Sequence, residues 1–570
     1  MTVSSVSTDQ PPSRHRIDRW FWVCIIAAGL TATALAYATL DAGFLHGTGG
    51  KWVQPDNDSA AYVVAWSYYL NDAWRFPMFD IPGMGYPEGG SVLFIDALPL
   101  TALLTKIVYA VTGEKVNPFG PWNLLTYILQ GVFAARLMFA LGVRSLPASL
   151  AASVLTVTCT GFMRRFTHTA VSSHFLLLWA LALYFENRRG EKRLGELWVL
   201  AAVTLLVNSY LFAMVMAFVA VTLLSLAIDR RIGWRDLRIV IGGCVSVVAL
   251  ALVAGYGIMF TSPSSMQAPG FGLYSWNLAG LLVPRWMDVV RDATGGQYEG
   301  DSYIGIGAVL VLVVAIVARP AAAMRQIRAH WMLVSLLLGF AMFAASNRVY
   351  AGGSLIVSYY LPPQVEALAA FFRATGRFIW PVAYALVGLS LAATFRWLRP
   401  SIAIVVAVVA VWLQLKEAQP FQNYFRTITG RANAEAIDLD RFGRLVSTHD
   451  RVWQYPSYSC GGLAGPQRTW GDLDTNRELQ LQVLAARAGV PMNSIYMSRM
   501  LKRCDREFQW AEAPRFEDGV LYVLSWKTVS ETPAIASAVA DGPCTGLSWA
   551  IVCSNTFKAT PFARSGERRP

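Results

Sequence analysis

The run at positions 20–40, "WFWVCIIAAGLTATALAYATL", contains no charged residue. A helix of about 20 apolar residues crosses a bilayer, so this run limits the folds open to the chain. Further apolar runs lie at 92–112, 121–141, 147–163, 170–185, 194–207, 211–228, 239–260, 303–318, 331–346, 378–395 and 401–415. Only 15% of the 570 residues are charged, against about 25% in soluble chains. The chain reads as a mostly α, polytopic membrane protein with roughly 11–13 transmembrane helices.

The formal net charge of +12 is concentrated in short connections. Arg188, Arg189, Lys192 and Arg193 form one cluster; Arg230, Arg231, Arg235 and Arg238 a second; Arg319, Arg325 and Arg328 a third; Arg396 and Arg399 a fourth. The positive-inside rule puts all four on the cytoplasmic side, with a disordered polar tail over 1–19. No zinc-finger spacing or long basic arm is present, so nucleic acid is not an expected partner. The 20–40 run lacks a small-residue cleavage site behind it and exceeds a signal h-region, so it is expected to stay as a helix. The transmembrane module then covers 20–416. Its loops 41–91, 261–302 and 347–377 fall outside, as does 417–570. Between loop 41–91 and the cluster at 188 the alternation requires an odd number of crossings. Four apolar stretches are present there, so one of them does not span.

Residues 417–570 are more polar and read as an α/β domain. "RVWQYPS" and "GVLYVLSW" have strand character and "NRELQLQVLAARAG" helix character. Cys460, Cys504, Cys544 and Cys553 all lie here, with three possible pairings. Local order favours Cys544–Cys553 and Cys460–Cys504, in keeping with an oxidising compartment. Cys24, Cys159 and Cys244 sit in apolar runs and are expected to be inert core residues.

The polar residues of the outside loops are the candidates for chemistry. In "PDNDSAAYVVAWSYYLNDAW", Tyr62, Trp66, Tyr69 and Ala73 share a helical face, which predicts an amphipathic helix in the membrane interface, in contact with lipid or sugar. Asp58 or Ser59 stands where a helix N-cap belongs. A carboxylate at a helix N-terminus also stays ionised and is suited to act as a general base, with Asp56 as the alternative. Glu299 and Asp301 precede an apolar run in "QYEGDSYIGIG", either as site acids or simply solvated. Arg373 and Arg377 are four apart and on a helix would share a face. Paired guanidiniums bind phosphate bidentately, or snorkel to lipid headgroups. His168 and His174 lack a metal spacing on one helix face, Arg164 and Arg165 read as a helix-end anchor, and no metal site is expected. No nucleotide-binding loop, G-x-S-x-G or H-E-x-x-H motif occurs.

Several phrases carry a resemblance: "DNDSAAYVVAWSYY", "YPEGGSVLFIDALPLTALLTKI", "FTHTAVSSHFLLLWAL", "YEGDSYIGIG", "FRATGRFIWP" and "LAARAGVPMNSIYMSR". Together with the layout they resemble the GT-C glycosyltransferases, and more closely a bacterial integral-membrane family of unassigned activity with that fold. The resemblance implies transfer of a sugar from a polyprenyl-phosphate carrier to a glycan or lipid-linked acceptor at the periplasmic face of the inner membrane. It implies a first-loop acid at Asp58 or Asp56, a second-loop acid at Glu299, and a carrier-phosphate clamp of Arg373 and Arg377. It brings no fixed metal requirement, and no ligand set here demands a divalent ion. A transporter or polymerase would place polar groups along the middles of several helices, where this chain has almost none. A membrane scaffold would leave the long first loop and the arginines without a role.

Overall fold

The computed structural model describes residues 19–95, 97–258, 271–284, 292–458, 460, 475–497 and 504–557. The tail expected over 1–19 lies, apart from Arg19, outside the described residues, as does much of 261–302. Among the described residues, six helices are long and apolar enough to cross a membrane: Arg19–Thr39, Phe119–Ala140, Ser209–Ile228, Trp234–Ala254, Thr375–Trp397 and Pro400–Gly430. A seventh span results if Ile306–Ala318 and Pro320–Ala329, bent by 98°, count as one. The bundle makes this a polytopic membrane protein.

The basic connections gather at one end of the bundle. Arg136 is bonded there to both Glu186 and Glu196, Lys192 pairs with Asp236 at 2.8 Å, and Arg188 pairs with Asp229. His330 stacks edge-on against Tyr184 and Phe185. The other end holds the first loop, residues 297–301, residues 370–379 and the C-terminal domain. Asn208 begins the helix Ser209–Ile228 there, its side chain accepting from the amides of Tyr210 and Leu211 at 3.0 and 3.2 Å. This is a cap that satisfies otherwise orphan N–H groups.

Against the 11–13 spans expected, six or seven helices of the described residues have the length, and four further apolar helices, Pro99–Thr112, Leu146–Val157, Leu194–Leu205 and Trp331–Ala345, are shorter. Pro99–Thr112 starts and ends at the site end. Its Lys106 lies 4.1 Å from the Tyr69 ring, and Lys115 just beyond it bonds Asn71 at 2.7 Å. It is the stretch, of the four, that does not run between the ends. Leu146–Val157 climbs from the basic end and stops at Thr158, and Phe175–Arg188 returns. Residues 158–174 between them have one four-residue helical turn, Thr160–Met163, and are otherwise irregular. Irregular backbone within a membrane protein survives where protein buries it or a cavity borders it.

The first-loop helix runs Asn57–Asn71, and every residue from Ser59 to Leu70 is buried. This corrects the expected interfacial helix. Tyr62, Trp66 and Tyr69 are 3%, 7% and 1% exposed. Tyr62 meets Phe119, Tyr69 meets Phe79, and Trp66 donates to Thr105 at 2.9 Å. The aromatic face packs on Pro99–Thr112 and its neighbours, while the C-terminal helix Thr475–Ala488 covers another face. Ala73 falls beyond the helix end.

Helix Pro400–Gly430 continues for 31 residues across the boundary expected at 416. The C-terminal domain beyond it has a four-stranded sheet in the order Arg451–Tyr455, Val520–Leu524, Ile551–Cys553, Cys544–Gly546, with the first pair parallel and the others antiparallel. The two strand phrases and the helix phrase of the sequence occupy Arg451–Tyr455, Val520–Leu524 and Thr475–Ala488. Cys460 is bonded to Cys504 and Cys544 to Cys553. Of the other thiols, Cys24 and Cys159 are buried as expected, whereas Cys244 is exposed on its helix and is not a core residue.

Candidate functional site

Asp56 and Asp58 separate clearly. Asp56 takes the position before the helix, makes no side-chain cap bond, and pairs with Lys51 at 3.2 Å. Asp58, in the first turn, points into the protein. Its Oδ2 lies 3.0 Å from His168 Nε2, and its Oδ1 accepts from the Tyr496 hydroxyl at 3.2 Å. Neither Asp58 nor Ser59 caps the helix, and Ser59 Oγ is buried with no hydrogen-bond partner among the described residues. The Asp58 side chain keeps 31% of its surface exposed. Burial pushes its carboxyl up, the His168 charge and hydrogen bond and the Tyr496 hydroxyl push it down, and the balance falls below its ordinary value.

Glu299 and Asp301 are not solvated loop acids, since both are 5% exposed. Glu299 Oε2 is shared by Arg165 Nη1 at 2.8 Å and Arg377 Nε at 3.1 Å. Burial raises the Glu299 carboxyl, but Arg377 and Arg165 overcome it and hold the group well below the carboxylate range. Arg165 Nη2 also donates to the carbonyls of Tyr298 and Glu299 at 2.8 and 3.0 Å. Asp301 accepts from Thr160 at 2.7 Å and Arg164 at 2.9 Å. The irregular segment 158–174 therefore serves both acids of the second loop.

The arginine pair is corrected as well. Residues 370–379 form two short 3-10 helices, Ala370–Phe372 and Thr375–Ile379, so Arg373 and Arg377 do not share a helical face. The break is set by backbone contact: a Cβ on Gly376 would lie 2.8 Å from Gly300 Cα and from the Tyr274 carbonyl. Arg377 is buried against Glu299 and over the Tyr210 ring. Arg373 is half-buried over the Tyr274 ring at 5.2 Å and has no carboxylate within ion-pair distance among the described residues. It is close enough to Tyr496 for its charge to bear on that hydroxyl. The site therefore has an accessible acid, Asp58, and a separate accessible cation, Arg373, braced by buried ion pairs.

Sequence reasoning missed Arg164, Arg165, His168 and Tyr496 as site residues. Arginines between two apolar runs were a usable signal, because charge buried in such a region needs a partner. Tyr496 gave none: its role depends on the packing of Thr475–Ala488 on the first-loop helix. Among the described residues, no three His, Cys, Asp or Glu side chains converge as metal ligands.

No curated protein matches the chain. Among solved structures, it is similar to the oligosaccharyltransferase AglB from Archaeoglobus fulgidus in complex with an inhibitory peptide and a dolichol-phosphate. The identity is 9% and the TM-score 0.42, over 92% of this chain and 72% of that chain. The A. fulgidus oligosaccharyltransferase complex with Zn and sulfate is similar at 12% identity and TM-score 0.42, over 93% and 73%. The model of the domain of unknown function DUF6311 matches residues 8–419, and that of the DUF6311 C-terminal domain matches 441–553. The chain belongs to the DUF6311 family.

Proposed function

We propose that this protein is a GT-C-type membrane glycosyltransferase that moves a sugar from a polyprenyl-phosphate carrier to a hydroxyl of a cell-surface or lipid-linked glycan at the periplasmic face of the bacterial inner membrane. The observation that carries the reading is Asp58: a part-exposed carboxylate, held between His168 and Tyr496, at the meeting point of the first loop, the arginine segments and the C-terminal domain. The acceptor oxygen attacks the anomeric carbon, the bond from that carbon to the phosphate oxygen breaks, and the acceptor proton passes to Asp58. The carrier leaves as polyprenyl phosphate, its growing charge met by Arg373. Arg377 holds Glu299 and shapes the segment that presents Arg373. One direct displacement inverts the anomeric centre. The sequence likeness to GT-C enzymes supplies the donor class, and the basic clusters at the opposite end supply the orientation.

The test is transfer of labelled sugar from polyprenyl-phosphate sugars in membranes carrying the wild-type chain or Asp58→Asn. Loss of a general base lowers the rate by roughly 10²–10⁴-fold. Undiminished transfer by an Asp56→Asn, Asp58→Asn double variant would refute the assigned base.

A further inference from the structure

The C-terminal domain hydrogen-bonds Asp58 through Tyr496. Residues 486–497 are pinned along the first loop. Tyr68 donates to the Val490 carbonyl at 2.7 Å, and Asn71 to that of Ala486 at 2.9 Å. The Met492 amide donates to Gly83, and the Met492 carbonyl accepts from Gly85 and Tyr86, at 3.0–3.1 Å. Within the domain, Gln482 accepts from the Tyr496 amide at 3.0 Å, and the Tyr458 ring packs on Tyr496 at 4.9 Å. These contacts fix the Tyr496 ring, and its hydroxyl ends on Asp58 Oδ1.

We propose that Tyr496 is a positioning residue of the Asp58 site, so that the C-terminal domain completes the catalytic machinery. Two donors from different domains hold the carboxylate, one on each oxygen: His168 from the membrane module and Tyr496 from the C-terminal domain. This fixes the side-chain rotamer and leaves each oxygen its remaining lone pair for an acceptor hydroxyl. Burial and the neighbouring Asp58 push the Tyr496 hydroxyl above its ordinary value, so it remains a donor at neutral pH. Among the described residues, Glu299, Tyr298 and Tyr458 are further ionisable groups acting at Asp58. The inference rests on the proposed function for its catalytic meaning, but the contact can be tested without turnover.

The probe is a hydrophobic carbodiimide, which modifies a carboxyl in its protonated form. Labelling of the Asp58 peptide is read by mass spectrometry on the full-length protein across a pH series. Tyr496→Phe removes a hydrogen bond to the charged form, so labelling should set in about one pH unit higher. Tyr68→Phe removes a tether between the same two segments without touching Asp58 and should leave the onset in place. Asp58→Asn should abolish the label. An unmoved onset in Tyr496→Phe, or an equal shift in Tyr68→Phe, would overturn the inference. If the onset moves while Asp58→Asn still transfers sugar, Tyr496 stands as the partner of Asp58 and the proposed base falls instead.

Discussion

Glu299→Gln removes the negative charge shared by two buried guanidiniums. The Arg165, Arg377 and Glu299 side chains are only 4%, 7% and 7% exposed, so water cannot replace the carboxylate. Breaking a buried pair by deleting one partner costs about 3–5 kcal/mol, because the remaining charge is left uncompensated. Arg165 keeps its two carbonyl partners, and both guanidiniums lose the charge that faces them. A second change, Arg377→Leu, should cost less in the Glu299→Gln background than in the wild type, because the pair between the two residues is already broken there.

The pH dependence has a definite sign. The folded carboxyl is depressed because Arg377 and Arg165 outweigh burial. A depressed carboxyl contributes stability that is full above its unfolded value of about 4.3 and is lost as pH falls toward the folded value. The gap between wild type and Glu299→Gln should be widest near neutrality and narrow steadily as the pH is lowered below about 4. The assay is thermal unfolding in detergent, read by a thiol-reactive fluorophore. Buried Cys24 and Cys159 react on unfolding, and exposed Cys244 is replaced by Ser to lower the background. A Glu299→Gln protein that melts with wild type at neutral pH, or an Arg377→Leu cost that is the same in both backgrounds, would show that this carboxylate does not hold the arginines.

Tyr69→Ala should cost about 3–5 kcal/mol, as for a large aromatic side chain removed from a core; a residue lying in the membrane interface would lose far less, and the same melting assay decides. Gly376→Ala forces a Cβ to 2.8 Å from Gly300 Cα, backbone that cannot swing aside. It should destabilise the protein by about 1–3 kcal/mol and weaken sugar transfer by moving Arg373. Joint replacement of Cys460 and Cys504 by Ser opens a link across 44 residues, worth about 4 kcal/mol by chain entropy. Wild type should melt lower in reductant, and the double variant should be much less sensitive to it.

The contrast between Asp58 and Arg377 shows how far local sequence reaches. Asp58 stands out in the sequence as a candidate acid because a carboxylate beside aromatic residues in a membrane-flanking loop needs a reason to be there. The choice over Asp56 was not, since both lie within two residues of the helix start and only their neighbours distinguish them: Lys51 for one, His168 and Tyr496 for the other. Arg373 and Arg377 were read as a pair from a spacing of four, which assumes a helix. The approach of Gly376 to Gly300 breaks that helix and hands Arg377 to Glu299.

The sequence by itself determined the membrane bundle, the common end of its basic loops, the presence of an α/β C-terminal domain and the loops that hold the acids. These follow from run length, charge placement and periodicity, which are local quantities set by the cost of moving polar groups out of water. Tertiary structure alone decided which charges are accessible and which are spent on each other. Residues 165, 299 and 377 meet across more than two hundred positions, and Asp58 meets Tyr496 across 438. An ion pair or hydrogen bond depends on distances of a few ångströms, and no pattern along the chain records which distant segments will come that close.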